Sequence, residues 1–126
     1  MPVQLNHTIV EARDRDVTAE FLVDVLGLQP AETFGPFKVV SLGNGVSLDV
    51  VQAGPDVHPQ HYAFLVGEDE FDEIWGRIKR YGLTYYADPF HRHAGQINTN
   101  DGGRGLYWLD PNGHNLEIIT VPYGGG

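Results

Sequence analysis

The chain contains no cysteine. Disulfides, thiolate metal ligands and cysteine nucleophiles are excluded together, so any metal must sit on imidazole and carboxylate. Cations are also scarce, 8 Lys and Arg against 17 Asp and Glu, for a net charge of −9 at pH 7. Binding to a phosphate backbone draws on clustered Lys and Arg that release counterions, so nucleic acid is not an expected partner. No apolar run approaches the roughly 18 residues of a membrane helix, and the segment from Met1 to Val10 lacks the basic and apolar blocks of a secretory signal. These absences lead to the expectation of a cytoplasmic protein without a membrane partner.

What is present suits one compact domain: 126 residues, 41% of them hydrophobic, in short blocks separated by Gly, Pro, Asp and Asn. Only the final Gly124-Gly125-Gly126 lacks an ordered pattern. The chain also repeats itself. In the first half His7 opens an apolar run, a charged stretch Glu11 to Asp16 follows, Phe21, Leu22, Val25 and Leu26 share one helical face, and Gly27-Leu28 closes. In the second half His61 opens Tyr62 to Val66, Glu68 to Glu70 follow, Phe71, Ile74, Trp75 and Ile78 share a helical face, and Gly82-Leu83 closes.

The two halves end alike. Gly45-Val46-Ser47-Leu48-Asp49-Val50-Val51 matches Gly113-His114-Asn115-Leu116-Glu117-Ile118-Ile119. His7 thus corresponds to His61 and Asp49 to Glu117. Further strands are expected at Gln29 to Phe34 and Pro36 to Leu42, and at Thr84 to Ala87 and Gly105 to Leu109. The fold class is α+β, one domain of two βαβββ modules spanning 1–54 and 55–126. The expected form is a curled, mostly antiparallel sheet around a metal-containing pocket, with helices outside. The stretch Asp88 to Arg104 breaks the symmetry: it is long, irregular and rich in His, Asn and Gly, and such segments are often functional.

Period-two alternation places the polar candidates. Tyr62, Phe64 and Val66 take one face and His61, Ala63 and Leu65 the other; Leu48 and Val50 oppose Asp49, and Leu116 and Ile118 oppose Glu117. His7, Asp49, His61 and Glu117 therefore avoid the face that packs on the helices. An acid among aliphatic neighbours is costly to bury without a partner. For Glu117 that partner is either a metal shared with the histidines or, at a sheet edge, Arg104. Two imidazoles and one carboxylate are the donors of the facial triad of non-haem Fe(II), so the expected metal ligands are His7, His61 and Glu117. Fe(II) or Mn(II) is favoured, and Ni, Co and Zn also accept the set. Three roles are open to the shorter Asp49: direct ligand, contact through water, or base and hydrogen-bond partner.

The segment Leu106-Tyr107-Trp108-Leu109-Asp110-Pro111-Asn112-Gly113-His114-Asn115-Leu116-Glu117 resembles the strand, Asp-Pro-x-Gly turn and ligand Glu of the vicinal-oxygen-chelate superfamily of glyoxalases, bleomycin-resistance proteins, fosfomycin-resistance enzymes and extradiol dioxygenases. The resemblance covers nearly the whole chain. It implies that His7 and His61 occupy the two His ligand positions and that Asp49 stands where glyoxalases have a fourth carboxylate. It also implies that Tyr107 matches the tyrosine that bonds substrate oxygen in extradiol enzymes. That signature has a histidine shortly before Leu106, where this chain has Asn98, Thr99 and Asn100. His91 or His93 from the long loop is the available substitute, and His93 joins Tyr107 and Asp49 as a catalytic candidate. The expected function is a metal enzyme, dioxygenase-like before lyase or isomerase, that chelates two neighbouring oxygens of a small organic substrate. Phe34, Phe37, Tyr86, Tyr107 and Trp108 suit a flat one. The alternative is a metal-free, bleomycin-resistance-type binding protein. A homodimer is the expected assembly.

Overall fold

The computed structural model of the chain describes residues 2–122, and the expectation for Gly124 to Gly126 lies outside them. The chain divides into two compact units, Met1–His58 and Pro59–Gly126. The first contains β1 (His7–Ala12), α1 (Arg15–Leu26), β2 (Glu32–Phe34), β3 (Phe37–Ser41) and β4 (Ser47–Gln52). The second contains β5 (His61–Leu65), α2 (Glu68–Arg80), β6 (Tyr85–Tyr86), a 3-10 turn (Asn100–Gly102), β7 (Gly105–Leu109) and β8 (Asn115–Ile119). Each builds a four-stranded sheet, in the orders β1-β4-β3-β2 and β5-β8-β7-β6. The βαβββ repeat is therefore the fold, α+β in class. In each sheet the first and last strands pair in parallel and the other neighbours antiparallel. A parallel pair needs a long crossover, which the helix begins in both modules.

Local chemistry explains the helix bounds. Asp14 caps α1, its carboxylate accepting from the amides of Asp16 at 3.1 Å and Val17 at 3.0 Å. The chain leaves α1 through Gly27 at φ 72 and leaves the end of α2 through Gly82 at φ 69. A side chain in that left-handed conformation costs roughly 1 kcal/mol or more, which is why Gly-Leu marks both ends. Acids in the first turn of α2 and bases in its last complement the helix dipole.

Each unit has its own core. Leu22, Val25 and Leu26 of α1 lie inside with Val10, Val40, Leu48 and Val50 of the strands, while Phe21 stays half-buried and Thr18 and Ala19 take the inward positions. In the second unit Phe71, Ile74 and Ile78 lie inside with Leu106, Trp108, Leu116 and Ile118. Trp108 is thus a core residue and does not line a substrate site. Its alternation with Tyr107, in step with Leu106, carried that signal.

Arg104, just before β7, is committed to α2. Its Nε donates to Glu68 Oε1 and its Nη1 to Asp72 Oδ1, each at 2.8 Å, and the guanidinium lies 4.4 Å from the centre of the Phe71 ring. It neither pairs with Glu117 nor stands free as a clamp for an anionic substrate. The hydrogen bond from Arg104 holds the Asp72 carboxyl below its ordinary value of 3.8 against partial desolvation, and the charges of Arg104 and Lys79 add to it. The guanidinium is raised in turn, chiefly by its hydrogen bond to Asp72.

The turn into β8 is built on Asp110. Its Oδ1 accepts from the amides of Asn112 at 2.9 Å and His114 at 2.8 Å, and its Oδ2 accepts from Asn112 Nδ2 at 2.8 Å. Asp110, Asn112 and His114 are all buried, so the donors have no ready replacement in water.

Two outcomes follow. Asp110→Ala leaves buried amides unpaired and should destabilise the chain by about 3 kcal/mol, read from urea unfolding. For Arg104→Met, the loss of thermal stability should be full at neutral pH. A lowered folded-state pKa stabilises fully above the unfolded value and less below it. The part carried by Asp72 should therefore fade as pH falls below 3.8, narrowing the gap between variant and wild type.

Candidate metal centre

Register sets the candidate ligands. In the second unit His61 lies opposite Asn115 and Ala63 opposite Glu117, while Tyr107 flanks Glu117 from the other side. Glu117 is on the central strand between a small neighbour and an aromatic one. Its side chain is 12% exposed against 48% for that of His61. A carboxylate so enclosed requires a partner, and the partner is His61.

The polarity of that contact is informative. His61 Nδ1 lies 2.8 Å from the backbone oxygen of Asn115, which can only accept, so Nδ1 carries the ring proton in the neutral tautomer and Nε2 presents its lone pair. That Nε2 lies 3.1 Å from Glu117 Oε1, also an acceptor. Two lone pairs meet and need a cation between them: a second ring proton or a metal ion. Donors about 2.1 Å from a shared ion and about 90° apart stand about 3.0 Å from each other, so the spacing fits two neighbouring ligand positions. An Nδ1–H held by a backbone carbonyl is also the usual arrangement behind a ligating imidazole.

The first unit repeats the register with different contacts. His7 lies opposite Ser47 and Ile9 opposite Asp49. His7 Nδ1 lies 2.8 Å from Asn6 Oδ1, which orients that ring in the same sense, with Nε2 as the open nitrogen. Asp49 is half-buried and accepts from Ser47 Oγ at 2.8 Å. Among the described residues, no three or more His, Asp or Glu side chains gather closely enough to hold a metal.

Tyr107 is half-buried, and its ring stacks obliquely on His61, centroids 6.0 Å apart at 26°. Phe34 is exposed and Phe37 half-buried on β2 and β3. The long loop follows β6. Asp88 Oδ1 accepts from the amides of Arg92 and His93, each at 2.9 Å. Desolvation opposes ionisation of Asp88, and those amides, that of Phe90 and the charge of His93 outweigh it, holding the carboxyl below the ordinary 3.8. His93 itself is exposed. The ring that folds onto the Glu117 face is His91, with φ 60, stacked on Tyr86 at 4.1 Å and 11°, its Nε2 lying 2.9 Å from Asn115 Oδ1. A non-glycine residue at that φ costs about 1 kcal/mol or more, which Asp88, Tyr86 and Asn115 together offset. Both loop histidines are candidates in the sequence, with His93 taken as the catalytic one, and Asn115 is not among the candidates. Its place in step with Glu117 on β8 was the available signal.

Comparison with known proteins agrees with this architecture. Residues 4–118 match the model of the Glyoxalase/Bleomycin resistance protein/Dioxygenase superfamily. The chain is 64% identical to a structure named Oxidase ChaP-H1, covering 98% of this chain and 100% of that one at a TM-score of 0.94. It is 61% identical to Oxidase ChaP-H2, with both chains covered in full and a TM-score of 0.95. It is also 29% identical over 120 residues to Glutathione transferase FosA of Serratia marcescens, covering 90% of this chain and 78% of that protein. At 20% identity, fosfomycin resistance protein FosX of Mesorhizobium loti shares the fold, with a TM-score of 0.73 and coverage of 99% and 98%. The chain belongs to the glyoxalase/bleomycin-resistance/dioxygenase superfamily.

Proposed function

We propose that the chain is a divalent-metal enzyme that oxidises a small hydroxylated aromatic compound, with His7, His61 and Glu117 as ligands and Fe(II) or Mn(II) as the ion. The observation that carries this reading is the approach of His61 Nε2 to Glu117 Oε1 at 3.1 Å, a ring nitrogen and a carboxylate oxygen that either a metal ion or a second ring proton must bridge. When bound, the metal supplies a Lewis acid that chelates two adjacent substrate oxygens and stabilises developing negative charge. The protein's residues do the rest. The carbonyl of Asn115 fixes the tautomer of His61. Tyr107, across from Glu117, bonds a substrate oxygen, and Ala63 leaves room beside the carboxylate. Asp49 serves as a base or hydrogen-bond partner. Leu65 and Leu109, exposed on the same face, favour an apolar body on the substrate.

Two relatives named as oxidases support oxidation over isomerisation or lysis. The relative named a glutathione transferase points elsewhere. Against that reading stands Arg104, whose guanidinium is engaged by α2 in a chain with few other cations to clamp an anionic thiol adduct. A cytoplasmic homodimer is the proposed form.

Protein purified without chelator and titrated anaerobically with Fe(II) or Mn(II) should bind it with a Kd of about 1 μM or tighter, some 8 kcal/mol. His7→Ala, His61→Ala and Glu117→Ala should each weaken uptake about 100-fold or more with the circular dichroism unchanged. No uptake by wild type would end the enzyme reading and leave a metal-free binding protein of the bleomycin-resistance kind. With metal bound, an oxygen electrode and a panel of hydroxylated aromatics should record consumption of dioxygen. Tyr107→Phe should lower kcat about 100-fold with little change in metal affinity.

A further inference from the structure

The long loop of the second unit delivers a ring to the Glu117 face and sets its tautomer. Asn115 is the reference. Its Nδ2 donates to the carbonyl of Pro89 at 3.3 Å, which turns its Oδ1 toward His91. That oxygen accepts, so His91 Nε2 is the donor and Nδ1 is left as a lone pair, without a partner among the described residues. The ring lies flat on Tyr86, at 4.1 Å and 11°, and is half-exposed. One residue therefore orients two imidazoles by two different groups: its backbone oxygen holds His61 and its side-chain oxygen holds His91. The ring at the candidate metal ligand and the ring from the loop are in this way tied to the same point of β8.

We propose that His91, stacked on Tyr86 and locked by Asn115, is a substrate-binding residue that selects planar hydroxylated aromatics, its open face stacking on the ring and its Nδ1 accepting from a substrate hydroxyl. The proposal deepens the function proposed above and rests on it for the position of the chelated oxygens. The chemistry is specific in two respects. Stacking requires a flat partner, whereas the lone pair requires an O–H or N–H donor, so a saturated diol satisfies at most one of them. A loop ring also lets selectivity change without disturbing β8, since the side chain of Asn115 is separate from the backbone oxygen that holds His61.

The test uses the full chain and 4-nitrocatechol, a flat vicinal diol that can be titrated by its visible absorbance, with cis-1,2-cyclohexanediol as the saturated competitor. Binding is measured on Fe(II)-loaded protein under argon and on metal-free protein, with Fe(II) uptake measured separately by competition against a chromophoric chelator. His91→Ala should weaken 4-nitrocatechol about tenfold or more in both forms, and His91→Phe, which keeps the stack and loses Nδ1, about three- to fivefold. Asn115→Leu should act like His91→Phe, because it frees the ring to turn. Fe(II) affinity of the His91 variants should stay within about twofold of wild type, as should that of the surface control His58→Ala. Nitrogen-15 spectra of the metal-free protein should show His91 protonated on Nε2. Equal 4-nitrocatechol affinity for wild type and His91→Ala overturns the proposal, as does Nδ1 protonation of His91 or equal binding of the saturated diol. Should wild type take up no Fe(II), the metal reading fails by itself. The metal-free titrations then decide the role of His91, where dependence on His91 supports it and independence overturns it.

Discussion

The parallel pairing of the first and last strands of each module is the constraint from which the candidate site follows. Because β1 runs alongside β4 and β5 alongside β8 in the same sense, a residue at the opening of one strand keeps a fixed offset from a residue inside the other. His7 faces Ser47 with Asp49 two places on, and His61 faces Asn115 with Glu117 two places on. Two places is one pleat period, so histidine and acid emerge on the same side. The helical crossover that parallel pairing demands covers the opposite side with Leu22, Val25 and Leu26 in one module and Phe71, Ile74 and Ile78 in the other. The apolar face and the chemical face of each sheet are therefore two consequences of one connection.

Given equal registers, the modules differ in what the acid reaches. Glu117 has one more methylene than Asp49 and meets an imidazole, whereas Asp49 meets the hydroxyl two residues before it on its own strand. The neighbours reinforce the difference. Ala63 flanks Glu117 where Ile9 flanks Asp49, so the second module leaves volume beside its carboxylate and the first fills it. The second module also carries the long loop. Duplication supplied two equivalent starting points, and divergence in three places gave one module the paired donors.

Much of this was legible because it is periodic. Alternation placed His61, Glu117 and Asp49 opposite the helix side, the Gly-Leu pairs marked the helix ends, and Asp110-Pro111-Asn112-Gly113 announced a turn. The buried place of Trp108 was carried by the same alternation, yet its aromatic character drew it into the list of substrate contacts. Apart from Asn115, the features that escaped have no period. Arg104 finds Glu68 and Asp72 across the helix–sheet gap, a tertiary contact that no local rule fixes. The choice between His91 and His93 depends on how Asp88 gathers successive amides and on the left-handed turn at His91. Both histidines look equivalent beside Arg92 until that turn is known.

That turn also bears on how a loop so irregular is held in place. Irregular backbone is usually the mobile part of a domain, because few of its groups are satisfied internally. Here Asp88 satisfies two amides, Asn98 Nδ2 donates to the Ala87 carbonyl at 2.8 Å, and the backbones of Asn98 and Gly105 exchange bonds at 2.9 and 3.0 Å. Gly105 leaves room for the Asn98 side chain, since a Cβ there would stand 2.9 Å from Asn98 Oδ1 and force one of the two to shift. The loop is thus fastened at both ends to β6 and β7, and its middle is fastened through His91 to β8. It is anchored in this way on three adjacent strands, and Asn115 holds the His91 ring. A segment ordered this thoroughly to hold one strained histidine over one carboxylate-bearing face is better explained by what that ring binds than by the stability of the fold.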